Sequence, residues 1–359
     1  MKSNNKENCF RKVLMTGNDA IAEGALRAGC RFYAGYPITP QNELTSYMAI
    51  HMPEYQGVFI QAESELAAIN MVFGASAAGF RAMTSSSSPG ISLKQEGISY
   101  LAGCELPAVI VNIMRGGPGL GNIAPAQSDY FQATKGGGHG DYHSIVFAPS
   151  SVQEAYNLMF AAFYLADKFR TPVMILGDGM LGQMMEPVVL HSAPLEFSEN
   201  IDKPWALTGC KDRNPNVIRS LYLKEGALEA LNERLQKRYQ MIEKTQQRFE
   251  EDFVNDAQVI VVSYGAMARI VKSVVKKLRQ RKLKVGYIRP ITLWPFPVKA
   301  FNRKKTTVKY LVVEMSYGQM VEDVCLSVPD KKKVYFLGRA GGAIPDTGQI
   351  TRKIYKLLR

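Results

Sequence analysis

Four segments between Gly35 and Gly121 restrict what this chain can fold into. They read Gly-Tyr-Pro-Ile-Thr-Pro (Gly35 to Pro40), Gln-Ala-Glu-Ser-Glu (Gln61 to Glu65), Thr-Ser-Ser-Ser-Ser-Pro-Gly (Thr84 to Gly90) and Arg-Gly-Gly-Pro-Gly-Leu-Gly (Arg115 to Gly121). Each follows directly on a run with strand character. In an open α/β sheet, the loops leaving the carboxyl ends of the strands line one crevice. Acidic, hydroxyl and guanidinium groups are therefore offered to a single cleft. That arrangement suits a small anionic substrate and a cofactor that needs a carboxylate partner.

The rest of the chain extends this pattern. After a polar tail, Met1 to Lys12, a short helix is expected from Ala20 to Gly29 and a strand from Arg31 to Tyr36. Pro37 and Pro40 stiffen the loop that follows. Ser64 caps a helix from Glu65 to about Gly79, whose apolar and small residues predict burial. Further strands are read at Arg81 to Thr84, Leu106 to Met114, Ile145 to Ala148 and Pro172 to Leu176, with helices between them. The glycine-rich loop from Arg115 to His143 is too long for a plain connection. Residues 1–190 thus form a doubly wound α/β domain. Residues 191–255 read as a linker in which Leu228, Leu231, Leu235, Ile242, Phe249 and Phe253 mark one stripe of a long helix. Residues 256–359 form a second α/β domain, with strands at Val259 to Val262, Val285 to Ile288, Tyr310 to Glu314 and Val334 to Leu337.

Charge separates the two ends of the chain. Residues 256–359 carry 22 Lys+Arg against 6 Asp+Glu, whereas residues 1–255 carry 22 against 26. The basic end suits an acidic protein, a nucleic acid or an anionic cofactor such as a nucleotide thioester, or is a solvated surface. It holds no nucleic-acid-binding motif, so no nucleic-acid partner is expected. No apolar run reaches the roughly 18 residues of a membrane span, and a cytoplasmic protein is expected. The five cysteines, Cys9, Cys30, Cys104, Cys210 and Cys325, include no CxxC pair. No iron–sulfur cluster or zinc site of local spacing is expected on this chain.

Glu63 and Glu65 both sit at a strand–helix junction. An acid in a first helical turn is favoured by the macrodipole alone. At a crevice, the same carboxylate can hold a ring nitrogen and exchange a proton with it. His139 and His143 lie in a glycine-rich run, but no third histidine is near enough to complete a metal triad. A Gly-x-Gly-x-x-Gly dinucleotide turn after the first strand is missing.

Tyr-Pro-Ile-Thr-Pro, Ala-Glu-Ser-Glu, Thr-Ser-Ser-Ser-Ser-Pro-Gly, Arg-Gly-Gly-Pro-Gly and Ser-Val-Gln-Glu-Ala (Ser151 to Ala155), in that order, resemble the 2-oxoacid:ferredoxin oxidoreductases. The likeness covers nearly the whole chain. It is to the large subunit with the pyrimidine-binding domain, of the 2-oxoglutarate and branched-chain 2-oxoacid type. It implies a thiamine diphosphate-binding doubly wound domain followed by a transketolase C-terminal-like α/β domain.

The resemblance implies a role for each matching residue. Glu65, rather than Glu63, would bond the aminopyrimidine ring of thiamine diphosphate. Tyr36 and Pro37 would border the cofactor, and Thr39 and Arg115 would take the substrate carboxylate. Gly177-Asp178-Gly179 looks like the start of the magnesium motif of thiamine enzymes, but Lys203 to Gly209 lacks the Asn that completes it. The diphosphate, its Mg2+ and the iron–sulfur clusters are therefore expected on partner subunits. Coenzyme A would be co-substrate and ferredoxin the electron acceptor. The loop Gly116 to Gly121 offers no second cation. That favours 3-methyl-2-oxobutanoate over 2-oxoglutarate; a non-catalytic assembly subunit is the rival reading.

Overall fold

The computed structural model describes residues 12–199, 201–302 and 307–359. The expected tail falls mostly outside these residues, as does Cys9. Lys12, assigned to that tail, instead opens a strand. In chain order the strands are β1 (Lys12–Thr16), β2 (Phe32–Gly35), β3 (Val58–Gln61), β4 (Ala82–Ser86), β5 (Ala108–Met114), β6 (Ile145–Phe147), β7 (Pro172–Asp178) and β8 (Met185–Val189). The second half adds β9 (Phe249–Asp252), β10 (Val259–Val262), β11 (Val285–Pro290), β12 (Thr292–Trp294), β13 (Lys309–Glu314) and β14 (Val334–Gly338).

β5 and β7 are buried along their whole length, as the continuous apolar runs require of parallel strands covered on both faces. They lie near the centre of a seven-stranded sheet ordered β12-β6-β7-β5-β4-β2-β3. Every pairing in it is parallel except β12 with β6. Strand order runs outward from β2 to β3 and the other way from β4 to β5. The switch point therefore falls between β2 and β4, and the loops leaving those two strands border the crevice. The helix Val152–Phe169 packs on Gly17–Arg27, and the helices Glu65–Ala77 and Ser88–Gly103 pack on each other. Right-handed crossovers place these two pairs on opposite faces of the sheet.

A five-stranded sheet, β14-β13-β10-β11-β9, forms the other half. Two of its features depart from the sequence reading. The long helix ends at Thr245, and Phe249 belongs to β9, antiparallel to β11. The Arg289-to-Pro295 stretch then sends β12 across to the edge of the seven-stranded sheet. β1 and β8 form a separate antiparallel pair.

Arg289 joins the halves from β11. Its guanidinium donates to both carboxylate oxygens of Glu154 at 2.8 and 2.9 Å and to Glu250 at 2.9 Å. Burial disfavours the cation, and the two carboxylates more than restore it, so the net shift is upward. Removing it takes the cation from Glu154 and leaves Glu250 with Lys272 alone. Arg289→Met is expected to destabilise the fold by about 3 kcal/mol, below the top of the range for a broken buried pair because both acids keep some solvent. Denaturant unfolding of the two proteins side by side checks this.

The glycine-rich loop after β5 is largely an interlock. Gln127, fully buried, receives the Met315 N–H at 3.0 Å, donates its own N–H to Met315 O at 2.9 Å, and donates from its side chain to Tyr264 O at 2.9 Å. Gln319 accepts from Phe131 N at 2.9 Å and donates to Ser128 O at 2.8 Å. Tyr130 and Lys135 both bond Asp323. The length that suggested function thus serves mainly to seat one half on the other.

Candidate active site

Glu65 and Glu63 part company in the structure. Ser64 caps the helix Glu65–Ala77 by accepting the Ala67 N–H at 3.2 Å, which turns Glu65 into the first helical turn, buried. Glu63 stays exposed and is touched by Ser64 Oγ. Among the described residues, neither carboxylate oxygen of Glu65 has a hydrogen-bond partner. Gly90 lies so close that a methyl group there would sit 2.4 Å from Glu65 Oε1 and 2.0 Å from Ser86 Oγ. Only glycine leaves this space open.

The turn that carries Gly90 also reaches Arg115. Ser88 N donates to Asn112 Oδ1 at 3.1 Å, and Ser88 Oγ donates to Asp129 at 2.6 Å and accepts the Arg115 N–H at 3.0 Å. Asp129 is thus committed to Ser88 and Asn112, not to the Arg115 side chain. Burial raises the pKa of its carboxyl, against the pull of those two bonds. The Arg115 guanidinium donates from Nη1 to Thr39 O at 3.0 Å and from Nη2 to Leu120 O at 3.1 Å. Its Nε is buried without a partner. Three of its five N–H groups are therefore uncommitted.

Thr39 is drawn to Arg115 through its carbonyl, while its hydroxyl oxygen accepts from Asn42 Nδ2 at 3.4 Å. Tyr36 and Pro37 are exposed on the same loop. A buried network beneath holds that loop in place. Tyr33 OH contacts Ser85 Oγ at 2.6 Å and Thr45 Oγ1 at 3.0 Å, and Ser85 donates to Gln41 at 2.6 Å. Burial pushes the Tyr33 hydroxyl up to about 12, so it stays a neutral donor across the working range. Asn18 and Gln183 clamp the far end by donating to Pro40 O at 2.8 and 3.0 Å.

The structure thus brings Glu65, Thr39 and Arg115 around one turn, with Tyr36 and Pro37 at the rim. It also shows what the sequence reading passed over. Ser88 and Gly90 couple Glu65 to Arg115, and Lys94 lies buried one turn beyond Gly90 on the helix Ser88–Gly103. Lys94 Nζ is 3.5 Å from Glu65 O, and burial pushes its pKa down to about 8 although Glu65 pulls it upward. A lone lysine four residues after Gly90, in a helix of small and apolar residues, was the available signal.

Other candidates fall away from this centre. Asp178 accepts Leu181 N at 3.0 Å and Ala266 N at 3.1 Å, capping two helices. His143 stacks on Trp294 at 4.5 Å, and burial lowers its pKa. His139 borders a cavity of about 490 Å3 with Tyr100, Tyr142 and Leu231, which includes none of Glu65, Thr39 and Arg115. On the basic helix Gly265–Gln280, Arg269, Lys272 and Arg279 pair with Glu186, Glu250 and Asp256, so part of the charge excess is neutralised within the chain. Among the described residues, no cluster of His, Cys, Asp or Glu is arranged to hold a metal ion. No described helix is long and apolar enough to cross a membrane.

Comparison with known proteins gives the family. Residues 23–251 match the family "Pyruvate flavodoxin/ferredoxin oxidoreductase, thiamine diP-bdg", and residues 257–350 match "Pyruvate:ferredoxin oxidoreductase core domain II". The chain is 48% identical to the ketoisovalerate oxidoreductase subunit VorB of Methanothermobacter marburgensis, over 96% of this chain and 97% of that one. It is 39% identical to the 2-oxoglutarate synthase subunit KorA of Methanothermobacter thermautotrophicus, over 97% and 99%. A solved 2-oxoglutarate:ferredoxin oxidoreductase from Magnetococcus marinus, with 2-oxoglutarate, coenzyme A and succinyl-CoA bound, superposes with a TM-score of 0.85 at 27% identity. That match covers 97% of this chain but 65% of the other. A split-gene transketolase, at 13% identity and a TM-score of 0.57, shares the fold. This chain belongs to the 2-oxoacid:ferredoxin oxidoreductases, as a subunit that carries their thiamine diphosphate-binding domain.

Proposed function

We propose that this subunit, with partner chains, carries out the coenzyme A-dependent oxidative decarboxylation of a branched 2-oxoacid, 3-methyl-2-oxobutanoate foremost. The observation that carries this reading is the pair of uncommitted groups around one turn. Glu65 is a buried carboxylate with no bond of its own, and Arg115 is a buried guanidinium with three free N–H groups. Buried polar atoms are ordinarily satisfied. Here Thr84 Oγ1, Ser86 Oγ, Ser87 Oγ and Arg115 Nε are all buried without partners at the same strand ends. Together with the space that Gly90 leaves open, these orphans fit a bound ring and a bound carboxylate.

Thiamine diphosphate, when bound, supplies the carbon nucleophile that decarboxylation of a 2-oxoacid requires. Glu65 would bond a ring nitrogen and share a proton with it. Tyr36 and Pro37, exposed on the same loop, would border the cofactor. Arg115 and Thr39 orient the substrate carboxylate, a charge-assisted contact. With both Asp178 oxygens taken by main-chain N–H groups, the diphosphate and Mg2+ are left to a partner subunit. We place the iron–sulfur clusters there too, with ferredoxin as acceptor and the complex in the cytoplasm. The functional division is 1–190, 191–255 and 256–359, with β9 completing the sheet of the last.

The substrate preference rests on Leu120 and Ile123. Both are exposed and apolar on the loop whose Leu120 carbonyl meets the Arg115 guanidinium, and that loop carries no second cation to meet a dicarboxylate. The similarity to a ketoisovalerate enzyme supports it. In an anaerobic viologen assay of the purified complex, reduction is expected with 3-methyl-2-oxobutanoate and coenzyme A together, at least tenfold faster than with 2-oxoglutarate. Equal or faster reduction with 2-oxoglutarate overturns the preference. No coenzyme A-dependent reduction with any 2-oxoacid overturns the reading.

A further inference from the structure

We propose that Lys94 is a positioning residue for Glu65, a buried ammonium whose charge balances the Glu65 carboxylate and so sets which proton that carboxylate shares with a ring nitrogen. This rests on the reading of Glu65 given above. A lysine is almost never fully buried without a partner, yet Lys94 is 0% exposed. Its one hydrogen bond among the described residues is the long contact to Glu65 O. The helix Ser88–Gly103 turns Gly90 and Lys94, one turn apart, toward the first turn of the helix Glu65–Ala77. Gly90 and Gly97 permit the close approach, since a methyl group at Gly97 would lie 2.6 Å from Ile69.

The charges facing Lys94 are few. The helix Glu65–Ala77 carries no other ionisable side chain, β5 carries none, and Asp178 on β7 is turned to the N–H groups of Leu181 and Ala266. On its own helix, Glu96 is exposed and bonded by Tyr100. Lys94 and Glu65 therefore face each other as opposite charges, with the cationic Arg115 and the Asp129 carboxyl joined to the same turn through Ser88. An ionised Glu65 accepts from a ring nitrogen that keeps its proton; a neutral one donates. The cation favours the first arrangement.

The test is the pH dependence of thiamine diphosphate affinity in the assembled complex, measured by calorimetry without substrate. Wild type is expected to bind at least tenfold more weakly as pH rises through about 8, where Lys94 loses its charge. Lys94→Met, which keeps the length of the apolar stem, should bind weakly and show no such step. Lys94→Arg should keep tight binding to higher pH. Superimposable profiles for wild type and Lys94→Met overturn the proposal. If Lys94→Met fails to assemble, the absence of a step in wild type, or an unshifted step in Lys94→Arg, overturns it equally. Glu65→Gln separates the two readings: unchanged affinity at neutral pH removes the role of Glu65 itself, whatever Lys94 does.

Discussion

Glu65→Gln is expected to leave the complex assembled and to lower turnover by about 10²- to 10⁴-fold, the usual worth of a positioned proton donor and acceptor. Glutamine fills the same volume in the first turn of the helix Glu65–Ala77, so the packing against Gly90 and the Ser64 cap survive. What goes is the capacity to gain and lose a proton. The loss of the carboxylate charge also leaves the buried Lys94 without its counter-charge, so some stability is lost with the turnover. Gel filtration and the viologen assay together read both halves of the expectation. Full activity in an assembled Glu65→Gln complex would show that the chain is an assembly subunit.

Arg115→Lys is expected to raise KM for the 2-oxoacid by about 10- to 100-fold, which is roughly 1.4–2.7 kcal/mol of lost binding and in line with a charged hydrogen bond. The guanidinium spans Thr39 O and Leu120 O while keeping three N–H groups for a planar anion. An ammonium can carry the charge but not the fork. The two loops lose their common tie, so kcat falls less than KM rises. An unchanged KM with a lowered kcat would move Arg115 out of substrate binding and into support of the loop.

Much of this site is written at strand ends. Thr39, Glu65, Ser88 and Arg115 each follow a strand of the seven-stranded sheet, and parallel strand order carries them to one edge of it. Lys94 was hidden for the opposite reason. A lysine inside a helix reads as solvent-facing, and its burial depends on how closely two helices approach, which Gly90 and Gly97 decide. β9 and β12 escaped for a third reason. Phe249 continued the spacing of the preceding helix, and β12 is stabilised by pairing with Phe147 and Val146, far away in sequence. Their conformation is set by tertiary partners, not by local preference.

The interlock around Gln127 has a bearing on the conditions under which the enzyme keeps its alignment. Its bonds to Met315 and Tyr264, and those of Gln319 to Ser128 and Phe131, join neutral amides. Salt screens charges and leaves amide pairs untouched. The strap that begins at Arg115 is thus moored at Gln127 and Gln319 by contacts indifferent to ionic strength and to acidity, beside the charged tie of Lys135 to Asp323. The spacing between the anion-gripping arginine and the far sheet holds steady in saline and dilute surroundings alike, while the lysine-rich exterior remains free to respond to both.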